Sequence, residues 1–346
     1  MRRTPSVEEL VEGICAGRRT TLARAITLVE SSKPAHQAQA RELLRAVRPY
    51  TGSAIRLGIS GVPGVGKSTF INTFGLFLID QGYRVGVVAV DPSSQRTGGS
   101  ILGDRTRMAD LAVREEAFIR PSPSGGHLGG VARATRESML LLEAAGYDVI
   151  IVETVGVGQS EVAVADMVDT FLMLCLARTG DQLQGIKRGI LELADVITMN
   201  KSDGDEMKAK QAARELSGAL RLMRTDRSIP PPLVMTSSGL TGVGLEDVWS
   251  AVLKHRERLE KLGRLEERRV QQQRDWMWTM AQEEVRQLLR RGEGVAQVRD
   301  EVEEAVSAGT LSAVEGAARL LQAFAQDPQL SRWGAEGLGL DGSAAG

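Results

Sequence analysis

The sequence predicts an α/β fold: a mostly parallel sheet covered by helices, with a helical N-terminal extension and a helical C-terminal segment. Three observations carry that prediction. Short apolar runs recur at 55–60, 84–90, 117–120, 148–153, 170–175, 195–200 and 233–237. Most are continuous rather than alternating, as strands buried on both faces of a parallel sheet are. Helical patterns separate them, and alternating β and α segments imply a sheet between helix layers.

In chain order, residues 1–52 form the N-terminal extension. Within 6–48, Leu22, Ile26 and Val29 recur at helical spacing, and Leu43, Leu44 and Val47 make a second stripe. Pro49-Tyr50-Thr51-Gly52 closes this segment. Residues 53–262 are the central α/β domain. Residues 263–330 are a helical arm: 264–292 are rich in Arg, Glu and Gln and carry Trp276, Met277, Trp278 and Met280, and 296–325 give one or two more helices. The Gly- and Ala-rich stretch 331–346 is expected to be disordered.

Composition narrows the function. The chain has 346 residues, 42% hydrophobic and 25% charged, which is ample for a large core. A net charge of −1 argues for neither a nucleic-acid nor an anionic-membrane partner, and 4% aromatics leave little for base stacking. Cys15 and Cys175 have no metal-ligand spacing, and Cys175 lies in an apolar run that reads as core. No stretch approaches a membrane span or a signal core, so the expected location is cytoplasmic.

The chemistry begins at Gly61-Val62-Pro63-Gly64-Val65-Gly66-Lys67-Ser68, which fits the G-x-x-x-x-G-K-[ST] pattern of P-loop NTPases. Glycines let the backbone curl until several N–H groups face one concavity suited to a polyphosphate. Lys67 can reach the β- and γ-phosphates, and the Ser68 hydroxyl can ligate Mg²⁺. The strand 55–60 before the loop and a helix from Thr69 to Asp80 after it supply the required context.

Asn200-Lys201-Ser202-Asp203 names the base, since N-K-x-D at a strand end is the pattern of GTP-binding proteins. The Asp203 carboxylate can accept from N1–H and the 2-amino group of guanine, and adenine offers neither donor. The Lys201 stem can lie over the base, and Asn200 can bridge back to the phosphate loop. Ser237-Ser238-Gly239-Leu240 follows the strand 233–237 where many GTPases place a turn whose backbone touches guanine O6, and Ser238 and Gly239 are the candidates.

Other candidates sit at strand ends. Glu153 ends the run 148–153 and can hold Mg²⁺ through water, and the Gly156 N–H can meet the γ-phosphate. Asp91 ends the run 84–90 and suits Mg²⁺ or water positioning. Asp104, in the glycine-rich stretch 98–108, can serve Mg²⁺ or the attacking water. Lys187, in 180–189, can answer phosphate charge. Lys67, Asp104, Glu153 and Lys187 are thus the catalytic candidates. Ser68, Asp91, Asp104 and Glu153 are the metal candidates.

The stretches Thr97–Met108, Phe118–Ser124 and Val152–Glu161 resemble the MeaB/ArgK family, across roughly residues 15–290. The resemblance implies a P-loop GTPase of the SIMIBI class, with GTP/GDP and Mg²⁺, and a C-terminal arm used in homodimerisation. It implies a slow GTPase that gates adenosylcobalamin delivery to methylmalonyl-CoA mutase and protects or reactivates that enzyme. Motif match gives Lys67, Ser68, Asp91, Asp104 and Glu153 the phosphate, metal and hydrolysis roles, and places Lys187 in a third switch that relays nucleotide state. Two positions depart from the family: Ala177-Arg178-Thr179-Gly180-Asp181 replaces its usual Pro-Gly-x-Gly-Asp run, and His127 stands where Thr is common. A nickel-inserting GTPase is the alternative, but such proteins carry His- or Cys-rich motifs, and here three His and two Cys are scattered. A transport ATPase is the third reading, against which N-K-x-D stands.

Overall fold

The computed structural model describes residues 5–31, 33–90, 108–121, 128–154, 160–177, 188–223 and 231–327. The chain divides into two compact units, Met1–Gln273 and Arg274–Gly346.

The first unit is built on seven parallel strands: β1 (Ile55–Gly61), β2 (Val85–Val90), β3 (Ala117–Arg120), β4 (Val149–Thr154), β5 (Thr170–Leu176), β6 (Val196–Asn200) and β7 (Leu233–Thr236). Each lies within a residue of the run that predicted it. Their order across the sheet is β3-β2-β4-β1-β5-β6-β7. Chain progression reverses at β1, and ligands of open α/β sheets bind outside the carboxyl ends of the strands at such a reversal.

Alternation along β1 shows how both faces are filled. Leu57 and Ile59 point to a core that also contains Phe70, Phe74, Leu78, Val248 and Trp249. These come from the helices Lys67–Asp80 and Leu245–Lys261, which cover that face. Gly58 points to the other face, where a Cβ would come within 2.9 Å of Phe171 and Val164. The close packing of the helix Ser160–Ala165 against the sheet depends on that missing atom.

Three N-terminal helices, α1 (Val7–Cys15), α2 (Arg19–Val29) and α3 (Pro34–Val47), pack with one another and with the helix Leu128–Ala144. A capping box between Ser6 and Glu9 starts α1. Arg19 donates to the carbonyls of Arg114, Glu115 and Ala117 beside β3, and Arg120, at the end of β3, pairs with Glu30 through Nε at 2.8 Å. The extension therefore closes one edge of the sheet.

At the amino ends of the strands, the long helix Arg264–Arg291 begins with a buried ion pair. Arg269 gives two hydrogen bonds to Asp169, 2.8 and 2.7 Å, and further bonds to the carbonyls of Gly52 and Ala54. Asp169 is fully buried and also accepts from the Arg56 amide. The boundary between the units falls inside this helix. In the second unit, the helices Glu293–Ser307 and Ala313–Ala325 pack together, with Gly316 close beneath Val306. The stretch 331–346 lies outside the described residues.

Candidate functional site

The phosphate loop leaves the carboxyl end of the central strand β1. Its first glycine, Gly61, has no room for a side chain, since a Cβ would sit 2.6 Å from the Leu174 carbonyl of neighbouring β5. Gly64 and Gly66 have φ of 77° and 90°, the left-handed region that glycine enters without cost. Between them Val65 turns inward and is fully buried, which anchors the loop. The helix Lys67–Asp80 starts at once, so its unpaired N–H groups open into the loop at the positive end of the helix dipole.

The Lys67 ammonium donates to the Gly61 carbonyl at 2.6 Å. Burial holds its pKa below the usual lysine value, while the nearby carboxylates of Glu153 and Glu161 oppose that shift. An ammonium that is both partly desolvated and near anions is primed to exchange its neighbours for phosphate oxygens. Glu161 is buried at the start of the helix Ser160–Ala165. It closes the family-like stretch Val152–Glu161, and no pattern in the sequence shows that it lies near Lys67.

The Ser68 hydroxyl donates to Glu153 Oε1 at 3.3 Å. Glu153 lies in β4, in register with Ile59 of β1 and Ala89 of β2, and is 3% exposed. A hydroxyl and a carboxylate meeting at the mouth of a phosphate loop are hard oxygen donors of the kind Mg²⁺ takes, so these residues fit the ion. Next to them, Thr154 donates to the buried Ser60 hydroxyl at 2.9 Å, tying the tip of β4 to β1.

The end expected to take the base is built from the loops after β6 and β7. Asn200 ends β6, and its side chain spans two walls: Nδ2 donates to the Val65 carbonyl, and Oδ1 accepts from the Gly239 amide, both at 2.8 Å. Lys201 has φ 62°, the only non-glycine residue in that region among the described residues. Its stem passes close to the phosphate loop, with Cε 3.5 Å from where a Gly66 Cβ would lie. Asp203 is exposed, and its Oδ1 is held by the Ser238 hydroxyl at 2.5 Å.

The backbone of the turn after β7 is almost fully committed. The amides of Ser237, Ser238, Gly239, Thr241 and Gly242 donate to Met199 O, Val243 O, Asn200 Oδ1, Ser238 Oγ and Ser238 O. Among the described residues of 237–242, the Leu240 amide alone has no acceptor, whereas the turn pattern in the sequence points to Ser238 and Gly239.

Gly61 through Thr69, Glu153, Asn200, Lys201, Asp203, Ser238 and Gly239 thus line one edge of the sheet, at the carboxyl ends of β1, β4, β6 and β7. Asp91, Asp104, Gly156 and Lys187 lie outside the described residues, as do His127 and the run 178–181. Cys175 is a buried thiol of β5, and burial pushes its pKa up to about 12.

Residues 22–311 match the family model described as methylmalonyl-CoA mutase-associated GTPase MeaB. The chain is 52% identical over 281 residues to the GTPase ArgK of Escherichia coli, covering 81% of this chain and 85% of that one. It is 43% identical over 332 residues to the mouse protein named methylmalonic aciduria type A homolog, mitochondrial, covering 92% and 79%. A crystal structure titled LAO/AO transport system kinase superposes with a TM-score of 0.73 at 41% identity, covering 93% of this chain and 98% of that one.

Proposed function

This chain belongs to the MeaB family of methylmalonyl-CoA mutase-associated GTPases, and we propose that it gates adenosylcobalamin delivery to methylmalonyl-CoA mutase and protects or reactivates that enzyme. The protein is a GTPase. The observation that supports the GTPase part of this reading is the pair of hydrogen bonds from Asn200 to Val65 and Gly239, which joins the phosphate loop and the loop after β7 in one cradle; the match to the family of mutase-associated GTPases supports the mutase part.

Each residue has a defined task in that cradle. The loop amides and the start of the helix Lys67–Asp80 receive the β- and γ-phosphates. Lys67 leaves the Gly61 carbonyl for the phosphate oxygens and spreads their charge. Asp203 accepts from N1–H and the 2-amino group of guanine, with Ser238 fixing its rotamer. The Leu240 amide meets O6, and the Lys201 stem covers the ring. Ser68 and Glu153 would hold Mg²⁺, which when bound neutralises charge on the β- and γ-oxygens. Asp91, Asp104 and Gly156 complete the metal and γ-phosphate side, and Lys187 relays nucleotide state to the mutase.

Hydrolysis is slow in isolation and rises when a partner completes the site. The protein works as a homodimer through its C-terminal helical arm. Exposed Met277, Trp278 and Val285 on the helix Arg264–Arg291 support that reading. It acts in the cytoplasm, where unpaired thiols such as those of Cys15 and Cys175 are stable. No helix among the described residues is long and apolar enough to cross a membrane.

The test is a turnover assay with and without purified methylmalonyl-CoA mutase, coupled to a spectroscopic assay of cobalamin transfer. Saturating mutase should raise the GTPase rate, and replacing GTP by a non-hydrolysable analogue should arrest transfer. A rate indifferent to mutase, with transfer indifferent to nucleotide, would reject the proposal.

A further inference from the structure

We propose that Thr73 is a positioning residue for guanine recognition: its hydroxyl grips the Gly239 carbonyl and so aims the Leu240 amide at the purine 6-oxygen. The inference rests on the base reading above, in which that amide meets O6.

Thr73 sits on the helix Lys67–Asp80, less than two turns beyond the phosphate-binding Lys67. Its Oγ1 lies 2.6 Å from the carbonyl oxygen of Gly239, 166 residues later in the chain. The alternative acceptor within its own helix, the Thr69 carbonyl, is farther, at 3.2 Å. Gly239 is held on its other side as well, by the 2.8 Å bond from its amide to Asn200 Oδ1. It lies so close to the helix that a Cβ would come within 2.7 Å of Phe70 Cα.

The peptide that Thr73 holds is the one that carries the Leu240 N–H. In a planar trans peptide the carbonyl and the following N–H point in opposite directions. Fixing the Gly239 oxygen toward the helix therefore fixes the Leu240 N–H away from it, with no acceptor among the described residues. An N–H in that place welcomes the 6-oxo group of guanine and opposes the 6-amino group of adenine. The helix that binds phosphate thus also sets the direction of a base-reading donor.

The competing explanation is that Thr73 merely stabilises its helix, and that role would not distinguish one purine from another. The experiment measures dissociation constants of GDP, 6-thio-GDP and ADP for the full chain and for Thr73→Val and Thr73→Ser. Sulfur at position 6 is a poor acceptor, so the wild-type protein should prefer GDP over 6-thio-GDP by about fivefold to tenfold, the worth of one hydrogen bond. In Thr73→Val that ratio should fall toward one, with GDP affinity down by a similar factor and ADP affinity unchanged. Thr73→Ser, which keeps the hydroxyl, should stay within about twofold of wild type. An undiminished ratio in Thr73→Val, or an equal loss in Thr73→Ser, would overturn the proposal. A wild-type ratio near one would instead reject the base reading, and the proposal with it.

Discussion

The Ser238 hydroxyl donates to Oδ1 of Asp203 at 2.5 Å, joining the loops that follow the neighbouring strands β6 and β7. The carboxylate that we propose reads guanine is therefore held in place before any base arrives. A recognition group that is already oriented loses less conformational entropy on binding.

Asp203→Asn should lower GTP affinity by roughly tenfold to a hundredfold, the scale of one or two hydrogen bonds to a charged group. The same change should improve binding of xanthosine triphosphate, whose 2-oxo group accepts from the new amide. Competition binding with the two nucleotides reads both effects, and unchanged GTP affinity would sink the assignment.

Lys67→Met should abolish hydrolysis and most nucleotide affinity. It should also raise the melting temperature of the nucleotide-free protein. Burial lowers the Lys67 pKa in the folded state, so the unfolded chain binds this proton more tightly. The contribution of Lys67 to stability therefore rises as pH climbs toward 10.5, and its charge is a net cost at neutral pH. Thermal melts with and without GTP test this: the variant should melt higher alone and gain nothing from GTP. A lower melting point alone would mean that the bond to the Gly61 carbonyl and the attraction of Glu153 and Glu161 outweigh desolvation.

His255 gives the protein a defined acid sensitivity. Its ring contacts the Thr170 hydroxyl at 2.9 Å and Asp195 at 3.3 Å. Burial, with help from Arg268 and Arg258, lowers its pKa below 6.5, against the pull of Asp195 and Asp169. A histidine with a lowered folded pKa stabilises fully above 6.5, and that stability drains away as pH falls below 6.5. His255→Gln should flatten the dependence of melting temperature on pH between about 5 and 7. Superimposable pH profiles for the two proteins would refute it.

Arg269→Ala should destabilise the first unit by about 3–5 kcal/mol, because it leaves the fully buried Asp169 without its main counter-charge. Arg256, at 3.8 Å, is too distant to take over both hydrogen bonds. Chemical denaturation measures the loss, and a change under about 1 kcal/mol would show that solvent reaches Asp169.

How much of this could be read from the chain depends on the range of the interaction. The strands were legible because each is a local apolar run, from Ile55 to Gly61 and from Val149 to Thr154. The phosphate loop and N-K-x-D were legible because short motifs carry their own chemistry. The order β3-β2-β4-β1-β5-β6-β7 was not, since no local pattern says which strand β1 will sit beside. Thr73 reads as an ordinary helix residue, and its grip on Gly239 exists only once the ends of β1 and β7 share an edge. Arg269 looks like one more charge in an arginine-rich helix, and only folding brings Asp169 to it. The left-handed Lys201 was hidden for another reason: nothing in its side chain calls for φ 62°.

The Asn200 side chain has a kinetic consequence. One amide group belongs to both the phosphate wall and the base wall, through Val65 and Gly239. Neither wall can swing away from the other while that group keeps both bonds. Loosening this one side chain is therefore expected to loosen both walls together, which gives a partner a single place from which to hasten nucleotide exchange.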